Sequence, residues 1–372
     1  MKIFDKVKSL CKRWFIDAFS GMAQGLFCTL IAGTILQLVA KWIGVDNFFG
    51  STLNLIGNFA KSLMGAGIGV GIAYALKTDK LTMFSAGVAG MVGAFADKLL
   101  FGSFMGAMFP KVTAPITTLA LGAPGNPIGA FVVTILVIEI VKFYAGKTKL
   151  DIILIPIGVL ILCFAGIFLA APFIWLVDQL GYLISHATEV APFFMGIIIS
   201  VVMGVLLTMP TSSAAIWLSI ASEISDDAML LAGGAAVVGC SCHMIGFAVA
   251  SFRENGVSGL ISQGIGTSML QIPNIMKKPI IMLPEIIASA ILGPVSTCLF
   301  GLKCNAAGGG MGTSGLVGVF GVIEASASLE PWVMILGIIL LMFVLPAVIC
   351  FVCSEIFRKL GWIKEGDQKL DK

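Results

Sequence analysis

Charge is what this sequence has least of: only 12% of its 372 residues are Asp, Glu, Lys or Arg, about half the share of a soluble domain. Such a chain cannot cover a water-facing globule, which excludes a secreted enzyme, a nucleic-acid binder and a disordered scaffold. The charges it does have gather at the two ends, and the net charge of +3 reflects loop lysines and not an acidic partner. No cleavable leader is expected either. Lys2, Lys6, Lys8, Lys12 and Arg13 precede an apolar run too long for a signal-peptide core and without a small-residue cleavage pattern. Nine cysteines are an odd number, most within apolar runs, so free thiols are expected in place of a disulfide framework.

What is there is apolar length. Charge-free runs of 23 residues (Ala18 to Ala40), 26 (Ile152 to Val177) and 24 (Pro331 to Ser354) exceed the roughly 20 needed to cross a bilayer as a helix. Reading apolar runs against their breakers predicts an all-α polytopic membrane protein of about ten spans, near 15–40, 48–76, 81–96, 126–143, 150–177, 192–210, 228–250, 257–273, 279–301 and 331–356. The segments 81–96, 126–143 and 257–273 are short or polar and suit elements packed within the protein. With residues 1–14 inside, the loops on that side carry 17 Lys/Arg and those opposite five, Arg253 and Lys303 among the latter. This asymmetry predicts both termini in the cytoplasm, residues 358–372 forming a cytoplasmic tail.

Sliding the chain by 146 positions aligns Phe48–Phe95 with Phe194–Ser241 without a gap. Phe48/Phe194, Gly50/Gly196, Ala75/Ala221, Met83/Met229 and Gly93/Gly239 are among nine identities. Asn126-Pro127-Ile128 then meets Asn255-Gly256-Val257, and Ile152–Pro156 meets Ile280–Pro284. Four spans match four in order, so the units 48–177 and 194–301 form a parallel repeat, related about the membrane normal. Duplicated helices with Gly-rich breaks point to a transporter, whose substrate site forms where irregular backbone lines an enclosed cavity.

Three polar constellations interrupt the apolar field. At Ala123–Gly129 the two prolines and Gly125 free backbone groups beside Asn126, whose amide can cap the following helix and offer donors and an acceptor to a polyol; Asn255 is its repeat mate. Pro210 breaks a span, and Thr211, Ser212 and Ser213 follow at the start of a new helical piece, where they cap it or line a cavity. Between Gly308 and Gly321 lie seven glycines, which suit a segment re-entering the membrane over 305–327 from the extracellular side. Glu324 follows it; a carboxylate at membrane depth is costly and is a site candidate, unless it sits in water at the loop end. His243, in Cys240-Ser241-Cys242-His243, is expected to be a buried imidazole bonded to a neighbour and joins the candidate set. Those side chains fan around one helix and no second cluster completes a tetrahedron, so no metal is expected. Glu139 faces Lys142 at i,i+3, and Glu285 opens a span where it complements the helix dipole; both have structural explanations.

Gly321-Val322-Ile323-Glu324, downstream of the Gly-rich stretch, resembles the Gly-Ile-Thr-Glu signature of the membrane (EIIC) subunits of the bacterial phosphotransferase system, with Ile323 in place of the hydroxyl residue. The Asn126 break, Met209–Ser213, Arg253–Gly264 and Ala306–Glu324 extend the likeness to most of the chain, from Phe15 to about Phe357, as a stand-alone EIIC-like domain over 15–357. The resemblance implies a multi-pass protein of the bacterial plasma membrane, in contact with lipid, that binds and imports a sugar or sugar derivative and works as a homodimer. Glu324 would hold sugar hydroxyls, with Asn126, Asn255, Thr211, Ser212, Ser213 and His243 around it, and no cofactor. Only 15 residues follow Phe357, so phosphorylation is expected from separate EIIB and EIIA proteins. A membrane sensor of the same solute, or a proton- or ion-coupled carrier, is the alternative.

Overall fold

In the computed structural model, residues 9–10, 12–100, 125–209, 212–222 and 224–370 are described. They are helical, with no strand among them, and contacts divide the chain into two compact units, 1–180 and 181–372. The eight cysteines among the described residues are free.

The first unit opens with α1 (Arg13–Ile43), which ends where Gly44 takes a φ of +101°, a conformation that stops a helix at little cost for glycine. Asn47 caps α2 (Phe48–Ser62) by accepting from Gly50 N–H at 2.8 Å. A 53° bend separates α2 from α3 (Met64–Ala75). Asp79 caps α4 (Lys80–Ala94), and α5 (Pro127–Val141) packs Val133, Val137 and Val141 against Ile155, Val159 and Cys163 of α6 (Asp151–Val190). These residues recur every four positions and form one apolar stripe. The other face of α6 leaves Ile157, Ile161 and Phe164 more than half exposed, as expected of a surface whose solvent is lipid. Glu139 is neutralised by Lys142, as its spacing predicts, and also by Arg13 at 2.7 Å.

The second unit is built around α9 (Asp227–Ala250), which follows α7 (Pro192–Thr208) and α8 (Ser213–Ala221). Of the apolar window of α9, 78% is buried, against 28% for α6, so α9 is the core of its unit. Gly239 lets it approach α7: a Cβ there would collide with the Ser200 carbonyl. Next come α10 (Phe252–Ile261), α11 (Pro279–Phe300), α12 (Val317–Ala325) and α13 (Pro331–Lys359). The ends of α2 and α7, Ser62 and Thr208, lie 146 residues apart, as do the ends of α3 and α8, Ala75 and Ala221.

Among the described residues, five helices can cross a membrane by length and composition, or six with the bent pair α2–α3; α5, α7 and 314–325 are shorter apolar helices. The ten-span count therefore meets five or six full-length candidates, because a helix of 15 residues such as α5 reaches about 22 Å of a ~30 Å core.

One stretch is corrected outright. The ten-span order places Arg253 and residues 358–372 on opposite sides of the membrane, with 257–273 crossing between. The structure joins Arg253 to Glu355 at 3.1 Å, Glu254 to Arg358 at 3.2 Å and Lys278 to Asp367 at 2.5 Å. Both ends of 252–278 thus lie at the same end of α9, and the segment does not cross. At the other end of α9, Lys303 pairs with Asp227 at 2.9 Å, two residues that the ten-span order also separates. The reason is legible afterwards: Ser258, Ser262, Gln263, Thr267, Ser268 and Gln271 bring polar groups that lipid cannot satisfy.

Candidate functional site

Two irregular segments enter the second unit from opposite ends of α9 and meet beside its middle. The first, 252–278, presents Gly264 and Gly266 at its turn. The second leaves from Lys303, whose backbone is tied to Ser326 by two 2.9 Å hydrogen bonds, N–H to Oγ and Oγ to carbonyl. Its glycines 308–310 and 312 are buried. Gly309 lies on the Trp217 ring, and Ser213 Oγ donates to Gly310 carbonyl at 2.7 Å. Gly312 takes a φ of +55°, and a Cβ on it would stand 2.8 Å from Cys240, thirteen residues or about 20 Å along α9 from Asp227. There Thr313 Oγ1 donates to Gly264 carbonyl at 2.6 Å and Ser314 Oγ to Gly266 carbonyl at 2.9 Å.

A buried polar cluster adjoins this meeting point. Thr208, the last residue of α7, lies 2.9 Å from His243 Nδ1 and 3.0 Å from Ser268 Oγ through its hydroxyl. All three side chains have no solvent exposure. With the Thr208 proton directed to Gly204 carbonyl at 3.2 Å, His243 donates from Nδ1 and its Nε2 is a bare acceptor. Nε2 has no hydrogen-bond partner among the described residues. Gln271, in the same short helical turn as Ser268, donates from Nε2 to Gln263 Oε1 at 2.9 Å, and Gln263 Nε2 donates to Ser251 Oγ at 2.9 Å. Gln271 Oε1 accepts at 2.8 Å from Nδ2 of Asn274, which lines a cleft of about 640 Å³ together with Glu254, Asn255, Ser258, Ser262 and Leu370.

The residues singled out from sequence take different places. His243 lies in the cluster, bonded to a neighbour as expected. Ser212 caps α8 by accepting from Ala215 N–H at 3.1 Å, and Ser213 holds the Gly-rich segment. Asn255 lines the cleft, with Nδ2 donating to Gln368 carbonyl at 2.9 Å. Glu324, on α12, is exposed and accepts from Asn305 Nδ2 at 2.7 Å, tying the base of the Gly-rich hairpin. Asn126 belongs to the first unit; its Oδ1 caps α5 through Ile128 and Gly129 N–H, while Nδ2 is buried without a partner among the described residues. Thr211 lies outside the described residues.

Sequence reasoning missed Thr208, Gln263, Ser268, Gln271 and Thr313. For Gln263, Ser268 and Gln271 the signal was the density of hydroxyls and amides in 258–274, which periodicity alone assigns to a weak span. It also undervalued Glu285. That side chain, in the first turn of the α-helical part of α11 (Leu283–Pro294), is completely buried, and neither carboxylate oxygen has a hydrogen-bond partner among the described residues. Gly246 of α9 and Cys350 of α13 are its neighbours, since a Cβ on Gly246 would stand 2.8 Å from Glu285 Cγ and 2.7 Å from Cys350 Sγ.

Hydroxyls, carboxamides and one imidazole dominate this path, a donor and acceptor set that suits a neutral polyhydroxylated solute. No group of three or more His, Cys, Asp or Glu among the described residues could hold a metal ion. A family model described as phosphotransferase system, EIIC, matches residues 16–370. No curated protein and no solved structure matches.

Proposed function

Since the chain belongs to the phosphotransferase system EIIC family, we propose that it is the membrane subunit that binds a sugar or sugar derivative and carries it inward, separate EIIB and EIIA proteins supplying the phosphoryl group. The observation that carries this reading is the meeting of two opposed, Gly-rich segments beside His243, Thr208 and Ser268. Irregular backbone at mid-helix depth is tolerated where it is enclosed by protein and lines a path for solute. The cluster offers an imidazole nitrogen and hydroxyls to sugar hydroxyls, and the Gln263–Gln271 path extends it toward Asn255. Glu324, Asn126 and residues 211–213 are assigned to the same function, as contacts in other steps of the transport cycle. We read 48–177 and 194–301 as two copies of one repeat, with both termini cytoplasmic and the working unit a homodimer. The coincident helix ends at a 146-residue offset support the repeat.

Uptake of labelled sugars into vesicles, with and without phosphoryl-donor proteins, tests the proposal. Accumulation should require the donor, and Thr208→Val should reduce it at least tenfold through the loss of two hydrogen bonds of about 1 kcal/mol each. Donor-independent accumulation driven by a proton gradient would instead establish an ion-coupled carrier. The buried, unpartnered Glu285 favours that second reading.

A further inference from the structure

The chain after α13 folds back on the 252–278 segment. Gly361 (φ +76°) turns it, Trp362 packs on Phe357 with ring centroids 5.1 Å apart, and Ile363 is 2% exposed. Beyond this apolar anchor residues 364–370 are held by hydrogen bonds that fall mostly on their backbone. Glu254 accepts from Gly366 N–H at 3.1 Å and Gln368 N–H at 2.9 Å. Asn255 reads this segment twice, donating from Nδ2 to Gln368 carbonyl and accepting through Oδ1 from Leu370 N–H, both at 2.9 Å. Gln271 Nε2 donates to the same Gln368 carbonyl and Asn274 Nδ2 to Lys369 carbonyl, each at 2.9 Å. Two side chains are read as well: Asp367 by Lys278 at 2.5 Å, and Gln368 Oε1 by Arg358 at 2.9 Å.

Residues 364–370 form two successive turns, closed by Asp367 N–H on Lys364 carbonyl at 3.2 Å and Lys369 N–H on Gly366 carbonyl at 3.3 Å, and a carboxylate and three carboxamides aimed at their backbone groups are the features of a peptide-binding groove. We propose that residues 254–278 form a docking groove for a turn-forming peptide, that 364–370 of the same chain is its resident ligand, and that docking latches the 252–278 segment where its turn meets Thr313 and Ser314. The latch has a mechanical basis. Gln271 contacts the resident segment and also Gln263, and Ser268 of the same short helical turn contacts Thr208. Releasing residues 364–370 leaves Gln271, Asn274 and Lys278 without these partners, so one of the two segments that close the polar cluster loses its support. Backbone recognition also means that another turn-forming peptide carrying an acid at the Asp367 position and an amide at the Gln368 position can replace the resident segment.

Two measurements test this. In the intact protein a zero-length carbodiimide should join Lys278 Nζ to Asp367 with loss of water, and peptide mass spectrometry should find the product within a single chain. A fluorescent peptide of residues 364–372 should bind protein ending at Ile363, which keeps the apolar anchor, and should bind full-length protein at least tenfold more weakly because its groove is filled. Asn255→Ala in the shortened protein should weaken peptide binding about ten- to thirtyfold, the worth of two hydrogen bonds. Equal binding to both lengths, a cross-link found only between two chains, or indifference to Asn255→Ala would overturn the proposal. If the shortened protein does not fold, the cross-link in the intact chain decides alone.

Discussion

Replacing Glu254 by glutamine is the most searching perturbation of the second unit. Its carboxylate is 4% exposed and faces Arg358, itself 12% exposed, with both guanidinium Nη atoms at 3.2 Å from Oε1. Oε1 also accepts from Gly366 N–H and Oε2 from Gln368 N–H. Glutamine has the same shape but one acceptor oxygen. With that oxygen on the arginine side, its NH2 confronts the Gln368 N–H, and leaving that donor unpaired costs about 1–3 kcal/mol. Breaking a buried ion pair by removing one partner costs about 3–5 kcal/mol. Here the lower end applies, because Arg358 keeps the Ala250 carbonyl and Gln368 Oε1 as acceptors. A loss of about 3 kcal/mol should lower the apparent Tm of the second unit by about 6–12 °C in detergent, followed with a thiol-reactive dye that reports its buried cysteines. Trypsin should at the same time cut faster after Lys364 and Lys369. Glu254→Gln with Arg358→Met should cost less than the sum of the two singles, since no unpaired charge remains. An unchanged Tm and an unchanged cleavage rate for Glu254→Gln would refute the account of this carboxylate as the hub of the docked segment.

Asp367 gives the docked segment a pH dependence. Partial burial opposes its charge, but the hydrogen bond from Lys278, the Lys364 N–H and the charges of both lysines outweigh it and hold the carboxyl below its usual value. Docking is thus fully supported above about pH 4 and weakens as pH falls through the lowered value; amide hydrogen exchange over 364–370 should rise there, and Asp367→Asn should abolish the step. Glu285→Gln should leave Tm equal or raise it, because no partner compensates a charge at that position; a fall of several degrees would mean that the carboxylate has a stabilising partner. Gly239→Ala should separate α7 from α9 and cost roughly 1–3 kcal/mol by overpacking, read as a Tm loss. Gly266→Ala, in open space, should leave Tm unchanged.

The sequence by itself determined the solvent of this protein and the class of its fold. Scarce charge and long apolar runs leave no other medium than a bilayer, and Gly321–Glu324 with the other motifs carried the resemblance that the match over 16–370 bears out. Local capping was also legible, since Asn126 and Ser212 need only their own next three residues to act. What the tertiary structure alone decided is which polar residues share a place. His243 and Ser268 lie 35 and 60 residues along the chain from the Thr208 hydroxyl they flank, and no periodicity encodes that distance. The direction of 252–278 was likewise hidden. A run of 17 apolar and small polar residues reads the same whether it crosses or turns back, and only the Lys278–Asp367 and Glu254–Arg358 pairs place both its ends on one side. Glu285 shows the same limit: a carboxylate in the first turn of a helix has a sufficient local explanation, and its lack of a hydrogen-bond partner among the described residues is a property of the three helices packed around it.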